Sequence, residues 1–273
     1  MKPFKAILKS WVPVPILQLL GKNSSVIFSG NYPSWEAARK ASSGYDAEVI
    51  LERAKTASLK VKHGEAVYER DSVIFDRIYY SFPVLSGLLR VALEQQGKLS
   101  VLDFGGSLGS SYYQCRTFLS SLSYLRWSIV EQPHFVACGK EFFEDEVLRF
   151  YNSIDDCLRV ESPHIILLSG VIQCLENPCD FIKHLIDYQF SYILIDRTAF
   201  TVEGNDRLTV EQVPASIYPA SYPAWFLDQR KFMKIFEGDY KLISEFDALT
   251  GEFEIHNPYA IGIDKGFIFE RLR

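Results

Sequence analysis

Ser100-Val101-Leu102-Asp103-Phe104-Gly105-Gly106-Ser107-Leu108-Gly109 decides the fold. A short apolar run ends in an acid, a glycine-rich turn follows at once, and residues 110–122 read as a helix. Strand, acid, glycine turn and helix in that order form the opening unit of a nucleotide-binding α/β domain. The glycines let the backbone approach a ligand closely and take positive φ. The helix start offers unpaired N–H groups to that ligand.

The turn fits a dinucleotide fingerprint in neither register. That fingerprint needs glycines at n, n+2 and n+5. If Gly106 and Gly109 fill the last two places, Phe104 fills the first; if Gly105 fills the first, Ser107 and Ser110 fill the others. Asp103 would also stand beside the pyrophosphate, where like charges repel by roughly 1 kcal/mol even in water. An acid there suits a ligand bearing an ammonium or sulfonium group. The stretch resembles the first motif of class I S-adenosylmethionine-dependent methyltransferases, acid-x-Gly-x-Gly-x-Gly. Asp103, Gly105 and Gly109 match, Ser107 replaces the middle glycine, and Gly106 is displaced by one.

From Leu99 onward, apolar runs alternate with helical patterns. Strands are predicted at 100–104, 125–130, 148–151, 164–168 and 191–195, with helices at 133–143, 178–188 and 229–236 and late strands at 240–246 and 266–271. Continuous apolar runs suit parallel strands buried on both faces. Five βα units followed by two strands resemble the seven-stranded Rossmann-like methyltransferase sheet, whose last strand runs antiparallel. The predicted division is a helical cap or lid over 1–98 and a methyltransferase domain over 99–273. Within the cap, helices are expected after Ser34, over 47–59, and over 72–96 with an interruption at Pro83.

Charge supports the same boundary. Residues 1–98 carry 14 Lys/Arg against 9 Asp/Glu, and residues 99–273 carry 15 against 25, so the cap is basic and the domain acidic. An acidic domain disfavours nucleic acid as partner. The hydrophobic share of 48% and charged share of 23% are those of a globular chain. Five scattered cysteines with no CxxC argue against a disulfide scaffold or zinc site and suit a cytoplasmic location. Residues 2–22 are basic around an apolar, Pro-interrupted core with Trp11; the segment has no cleavage site and is too short to span a membrane, but it suits weak contact with an anionic membrane surface.

Several later residues take places that the resemblance makes functional. Glu131 ends the second strand, 28 residues after Asp103, where the family's acid holds the ribose hydroxyls. Asp155 and Asp156 follow the third strand, near the adenine position; either accepts from its amino group, or both are solvated at a helix start. Ser169-Gly170-Val171-Ile172-Gln173 resembles the family's fourth motif, with Gly170 beside the methionine part of the cofactor and Gln173 orienting, since an amide is no base at neutral pH. Arg197 forks a carboxylate or phosphate of the substrate, or pairs with a neighbouring acid. The acceptor pocket is expected from Tyr68, Arg70, Tyr218, Tyr222 and Trp225, aromatic and basic groups suited to a ring such as a sugar. With residues 191–200, these resemble bacterial methyltransferases associated with surface-polysaccharide genes. His256, between the two last strands, is the expected proton acceptor, with Asp228, Tyr218 and Tyr222 as rivals.

The function implied is S-adenosylmethionine-dependent methyl transfer to a small polar acceptor, a hydroxyl of a sugar or glycan precursor. A nucleotide-binding oxidoreductase and an inactive methyltransferase-like binding module are the alternatives.

Overall fold

A computed structural model describes residues 26–44 and 47–272. The basic N-terminal stretch, and with it the expected membrane-surface contact, lies outside the described residues. Among the described residues no helix is long and apolar enough to cross a membrane.

The glycine turn sits where the sequence places it. The strand β4 (Lys98–Phe104) leads into it, and the helix α4 (Ser110–Leu119) leaves it. Three units follow: β5 (Tyr124–Val130) with α5 (Pro133–Phe142), β6 (Leu148–Tyr151) with α6 (Ile154–Leu158), and β7 (Ile165–Ser169) with α7 (Pro178–Asp187). The strand β8 (Tyr192–Thr201) completes a parallel set in the order β6-β5-β4-β7-β8. The late hairpin, β11 (Tyr240–His256) and β12 (Ala260–Arg271), then inserts β12 antiparallel against β8.

Alternation within each strand divides the core. Leu99, Val101, Ile165, Leu167 and Leu194 face α2 (Ala47–Lys62), α3 (Phe82–Glu94), α4 and α5. Leu102, Ile166, Leu168, Ile193 and Ile195 face α6, α7 and α8 (Gln229–Lys234). Both faces are covered, which is why these strands read as unbroken apolar runs.

The sheet has ten strands, not the seven expected. Beyond β11 come β1 (Ile27–Ser29), β9 (Arg207–Val213) and β10 (Ala220–Phe226), in the order β11-β1-β9-β10. Residues 212–225, with Pro214, Pro219 and Pro223, therefore form the end of β9 and the turn and second strand of a hairpin. The described part of the cap, residues 26–44 and 47–98, is also less helical than expected. They supply β1 and a small hairpin of β2 (Tyr68–Arg70) with β3 (Val73–Phe75). Strands of three residues are too short to show a two-residue period, so only their pairing reveals them. Pro83 does not interrupt a helix; it stands in the first turn of α3, where a missing N–H costs nothing.

The added strands curl the sheet. Leu227 bridges to Phe200 of β8, and β10 packs against a single 3₁₀ turn at Ile172–Cys174. This brings the far edge of the sheet back over the carboxyl ends of β7 and β8.

Candidate active site

The carboxyl ends of β4, β5, β7 and β8 form one rim. On it, Asp103 is 1% exposed and its carboxylate accepts from Trp127 Nε1 at 2.9 Å. Burial outweighs that bond and pushes the carboxyl up to about 7. The turn packs directly on this acid, since a Cβ on Gly106 would lie 2.6 Å from the Asp103 Oδ2. Gly105 takes φ +72, and a Cβ there would lie 2.5 Å from Val171 of the turn after β7. Gly109 takes φ +103 at the start of α4, and no side chain caps that helix.

Glu131 follows β5 on the same rim. It accepts from the Gln132 backbone N–H at 2.6 Å and faces the backbone of Ser107 in the glycine turn; burial raises its pKa. Ser169 donates to Asp196 Oδ2 at 3.0 Å, and the Gly170 N–H donates to the Asp196 carbonyl at 2.9 Å, fastening the β7 turn to β8. The structure thus brings Asp103, Gly105, Gly106, Gly109, Glu131, Ser169 and Gly170 along one continuous rim. Asp155 and Asp156 are committed elsewhere. Asp155 accepts from Tyr188 at 3.1 Å, and Asp156 pairs with Arg159 at 2.7 Å while Ser153 caps its helix.

Beside this rim lies a cavity of about 190 Å³. Part of its lining is apolar and aromatic: Phe28, Phe75, Phe253, Ile217 and Trp225. The lining also carries Arg70, Asp71, Gln173, Arg197, Glu211 and Asp264, together with Tyr218 and Tyr222. Gly170 belongs to both the rim and the cavity, so the two adjoin.

Arg197 is enclosed by its own acids. Its Nη1 donates to Asp71 Oδ2 at 3.0 Å, its Nε donates to Ser169 Oγ at 3.3 Å, and Asp196 Oδ2 lies 4.0 Å away. Burial opposes its charge, but Asp71 and Asp196 outweigh burial and hold its pKa above the ordinary value. It takes φ +52, a conformation that side chains other than glycine rarely adopt. Of its two sequence readings, the ion pair is the one the geometry displays.

Glu211 is the group that sequence reasoning missed. It sits on β9 opposite Tyr222, whose hydroxyl donates to its Oε1 at 3.1 Å. Burial, with Asp71 and Asp264 nearby, pushes its carboxyl up to about 7. Its only signal was an acid inside the β-prone run 207–213.

His256 does not line the cavity. The strand β11 runs through it, and side chains alternate along a strand. Phe253 turns inward and Ile255 is buried, so His256 is exposed, with Ser29 of β1 as its strand partner. Asp228 caps α8 through the N–H groups of Arg230 and Lys231. Tyr68 is 2% exposed and packs on Phe75 at 5.8 Å, behind the cavity wall.

The hairpin of β2 and β3 straps this region. Glu69 is buried and accepts from Ser110 at the start of α4, while Asp71 reaches Arg197 at the end of the sheet's parallel set. One hairpin therefore touches both the glycine-turn helix and the cavity.

No family model matches the chain, and no curated protein matches it in sequence. Among solved structures, it is similar to the N-terminal domain of EvdMO1, crystallised in the presence of S-adenosylhomocysteine and D-fucose, with 12% identity, TM-score 0.45, and coverage of 84% of this chain and 98% of that one. It is also similar to the Burkholderia thailandensis 1,6-didemethyltoxoflavin-N1-methyltransferase, with 12% identity, TM-score 0.42, and coverage of 84% and 94%. A third is human N-acetylserotonin methyltransferase, with 11% identity, TM-score 0.43, and coverage of 81% and 56%. At such identities and scores the fold assignment rests on the strand order itself: a Rossmann-like α/β sheet with an antiparallel strand between β8 and β11.

Proposed function

We propose that the chain is an S-adenosylmethionine-dependent methyltransferase acting on a hydroxyl of a small polar ring. The resemblance implies a sugar or glycan precursor of a surface polysaccharide, while the scattered cysteines suit a cytoplasmic step and the acidic domain disfavours nucleic acid as partner. One observation carries the reading: the strand order β6-β5-β4-β7-β8-β12-β11, with β12 alone antiparallel, and with Asp103, its glycine turn and Glu131 on adjoining carboxyl ends. Ligands of open α/β sheets bind at such ends.

The rim fits the cofactor. Gly105 and Gly106 bring bare backbone to the place where a ligand would lie, and no side chain caps the N–H groups of α4. Glu131 would hold the ribose hydroxyls, and Gly170 would lie along the methionine part. When bound, the sulfonium supplies an electrophilic methyl group.

The chain's own residues do the rest. The aromatic lining excludes water and fixes the plane of the acceptor ring, and holding two reactants close and aligned supplies most of such a rate. Glu211 takes the hydroxyl proton, because it lines the cavity and its carboxyl, pushed up to about 7, is matched to neutral pH. Tyr222 donates to Glu211 and holds it in place. Gln173 orients the acceptor, and Arg197 with its acids shapes the wall between rim and cavity. Residues 26–98 act as a lid through the β2–β3 hairpin.

Calorimetry tests the reading. S-adenosylmethionine and S-adenosylhomocysteine should bind and NAD should not; tight NAD binding with no response to either sulfur compound would sink it. Turnover against a panel of activated sugars and hydroxylated glycan precursors then identifies the acceptor.

A further inference from the structure

The inference rests on the methyltransferase reading and names a ligand group for its site. Three charged side chains follow one another on the β2–β3 hairpin, and two are matched. Glu69 accepts from Ser110, and Asp71 accepts from Arg197. Arg70 stands between them. It is 8% exposed, it lines the cavity, and among the described residues no carboxylate lies within 4.0 Å of it. Its Nη1 is buried with no hydrogen-bond partner, and its guanidinium rests over the Tyr68 ring at 5.5 Å.

Arginine keeps its charge at any working pH, so this is a buried cation with an open donor. Such a group is stable only when something supplies the missing acceptor. Arg197, which lines the same cavity, shows the satisfied case, with a hydroxyl and two carboxylates around it. The guanidinium fork matches a carboxylate in shape and charge. A second open atom complements it: Gln173 Oε1 lines the same cavity, is buried, and has no donor.

We propose that Arg70 is the receptor for a carboxylate of the bound ligand, with Gln173 taking an N–H or O–H beside that carboxylate. The ligand fragment is an amino- or hydroxycarboxylate. Two molecules at this site can bring one: the cofactor through its amino-acid end, or the acceptor.

Calorimetry on wild type, Arg70→Gln and Arg70→Lys separates these sources. The probes are S-adenosylhomocysteine, and 5′-methylthioadenosine, which keeps the nucleoside and lacks the amino acid. A third arm measures the thermal shift given by glycolate with S-adenosylhomocysteine present. If the carboxylate is the cofactor's, Arg70→Gln weakens S-adenosylhomocysteine at least about tenfold, leaves methylthioadenosine unchanged, and Arg70→Lys falls between. If it is the acceptor's, S-adenosylhomocysteine affinity holds and the wild-type glycolate shift disappears in Arg70→Gln. Unchanged S-adenosylhomocysteine affinity together with no Arg70-dependent glycolate shift overturns the proposal. Wild type binding neither adenosyl probe overturns the methyltransferase reading instead, and the glycolate shift, measured without nucleoside, then decides Arg70 alone. Arg70→Lys keeps the charge, so a folding defect confined to Arg70→Gln leaves the test intact.

Discussion

Replacing Gly105 with alanine tests whether the glycine turn is shaped by contact or by conformation alone. The new Cβ would lie 2.5 Å from Val171 Cγ2 and 3.0 Å from its Cβ, on backbone held at φ +72. The left-handed conformation costs about 1–2 kcal/mol for an L-residue. Forcing a methyl into occupied space adds about 1–3 kcal/mol. Gly64 supplies the control, since it has φ +77 and nothing within 4 Å of its added Cβ. Gly64→Ala should therefore lose about 1–2 kcal/mol, and Gly105→Ala about 2–5 kcal/mol. Urea unfolding with unchanged slopes gives both values. Val171→Ala removes Cγ2, the atom nearest the new methyl, so the double variant Gly105→Ala with Val171→Ala should be more stable than the two single losses combined by about 1–2 kcal/mol. Equal losses at Gly105 and Gly64, or strict additivity with Val171→Ala, would refute the contact between the glycine turn and the β7 turn as the source of the constraint.

Once an acceptor is identified, Glu211→Gln should lower kcat by about 10²-fold or more while S-adenosylhomocysteine affinity holds, and the acid limb near pH 7 in the wild-type profile should vanish; turnover and profile unchanged would remove Glu211 from the proton path. Glu69, Asp103 and Glu211 are each pushed up to about 7 by burial, so the folded chain holds protons that the unfolded chain has released. These groups therefore make stability fall as pH rises from the ordinary carboxylate range toward 7, and Glu69→Gln should flatten that fall in melting curves taken across pH 5 to 8. A steeper fall in the variant would contradict the assignment. Asp228→Ala removes the cap of α8 and should cost about 1 kcal/mol of stability with no change in cofactor binding. Hydrogen exchange at residues 68–75 should slow when S-adenosylhomocysteine binds, as expected of a lid; unchanged exchange there would point to a fixed strap.

The cofactor half of the molecule was legible because its strands are buried on both faces. Val101, Leu102, Ile165–Leu168 and Ile193–Ile195 carry apolar side chains at consecutive positions, and few other structures need that. The acids that end those strands were legible for the same reason, since position along a parallel strand fixes which edge they reach. The acceptor half was legible only in part: Arg70, Tyr218, Tyr222 and Trp225 were expected there and line the cavity, but the elements that carry them were not foreseen. Its strands β1, β2 and β3 have three residues each, and their identity depends on partners elsewhere in the chain. Glu211 looked like one acid among many until pairing set it opposite Tyr222. His256 was misplaced by one side-chain alternation, because β11 continues ten residues past its expected end.

The position of β1 has a consequence for how the protein is made. Phe28 is hydrogen-bonded in register with Ile255, almost the whole described chain away. One edge of β1 can pair with β9 once residue 213 is made, but the other must wait for β11, some forty residues further on. Contacts of such sequence separation form slowly. The βα units around the glycine turn have short-range partners and can assemble during synthesis, whereas the cavity's outer wall closes only after release of the C-terminal hairpin. A chain cut short before β11 keeps the strands that bear the glycine turn and Glu131 but leaves β1 paired on β9 alone, without the two strands that join it to β8, so the two halves of the site differ in when they come into being.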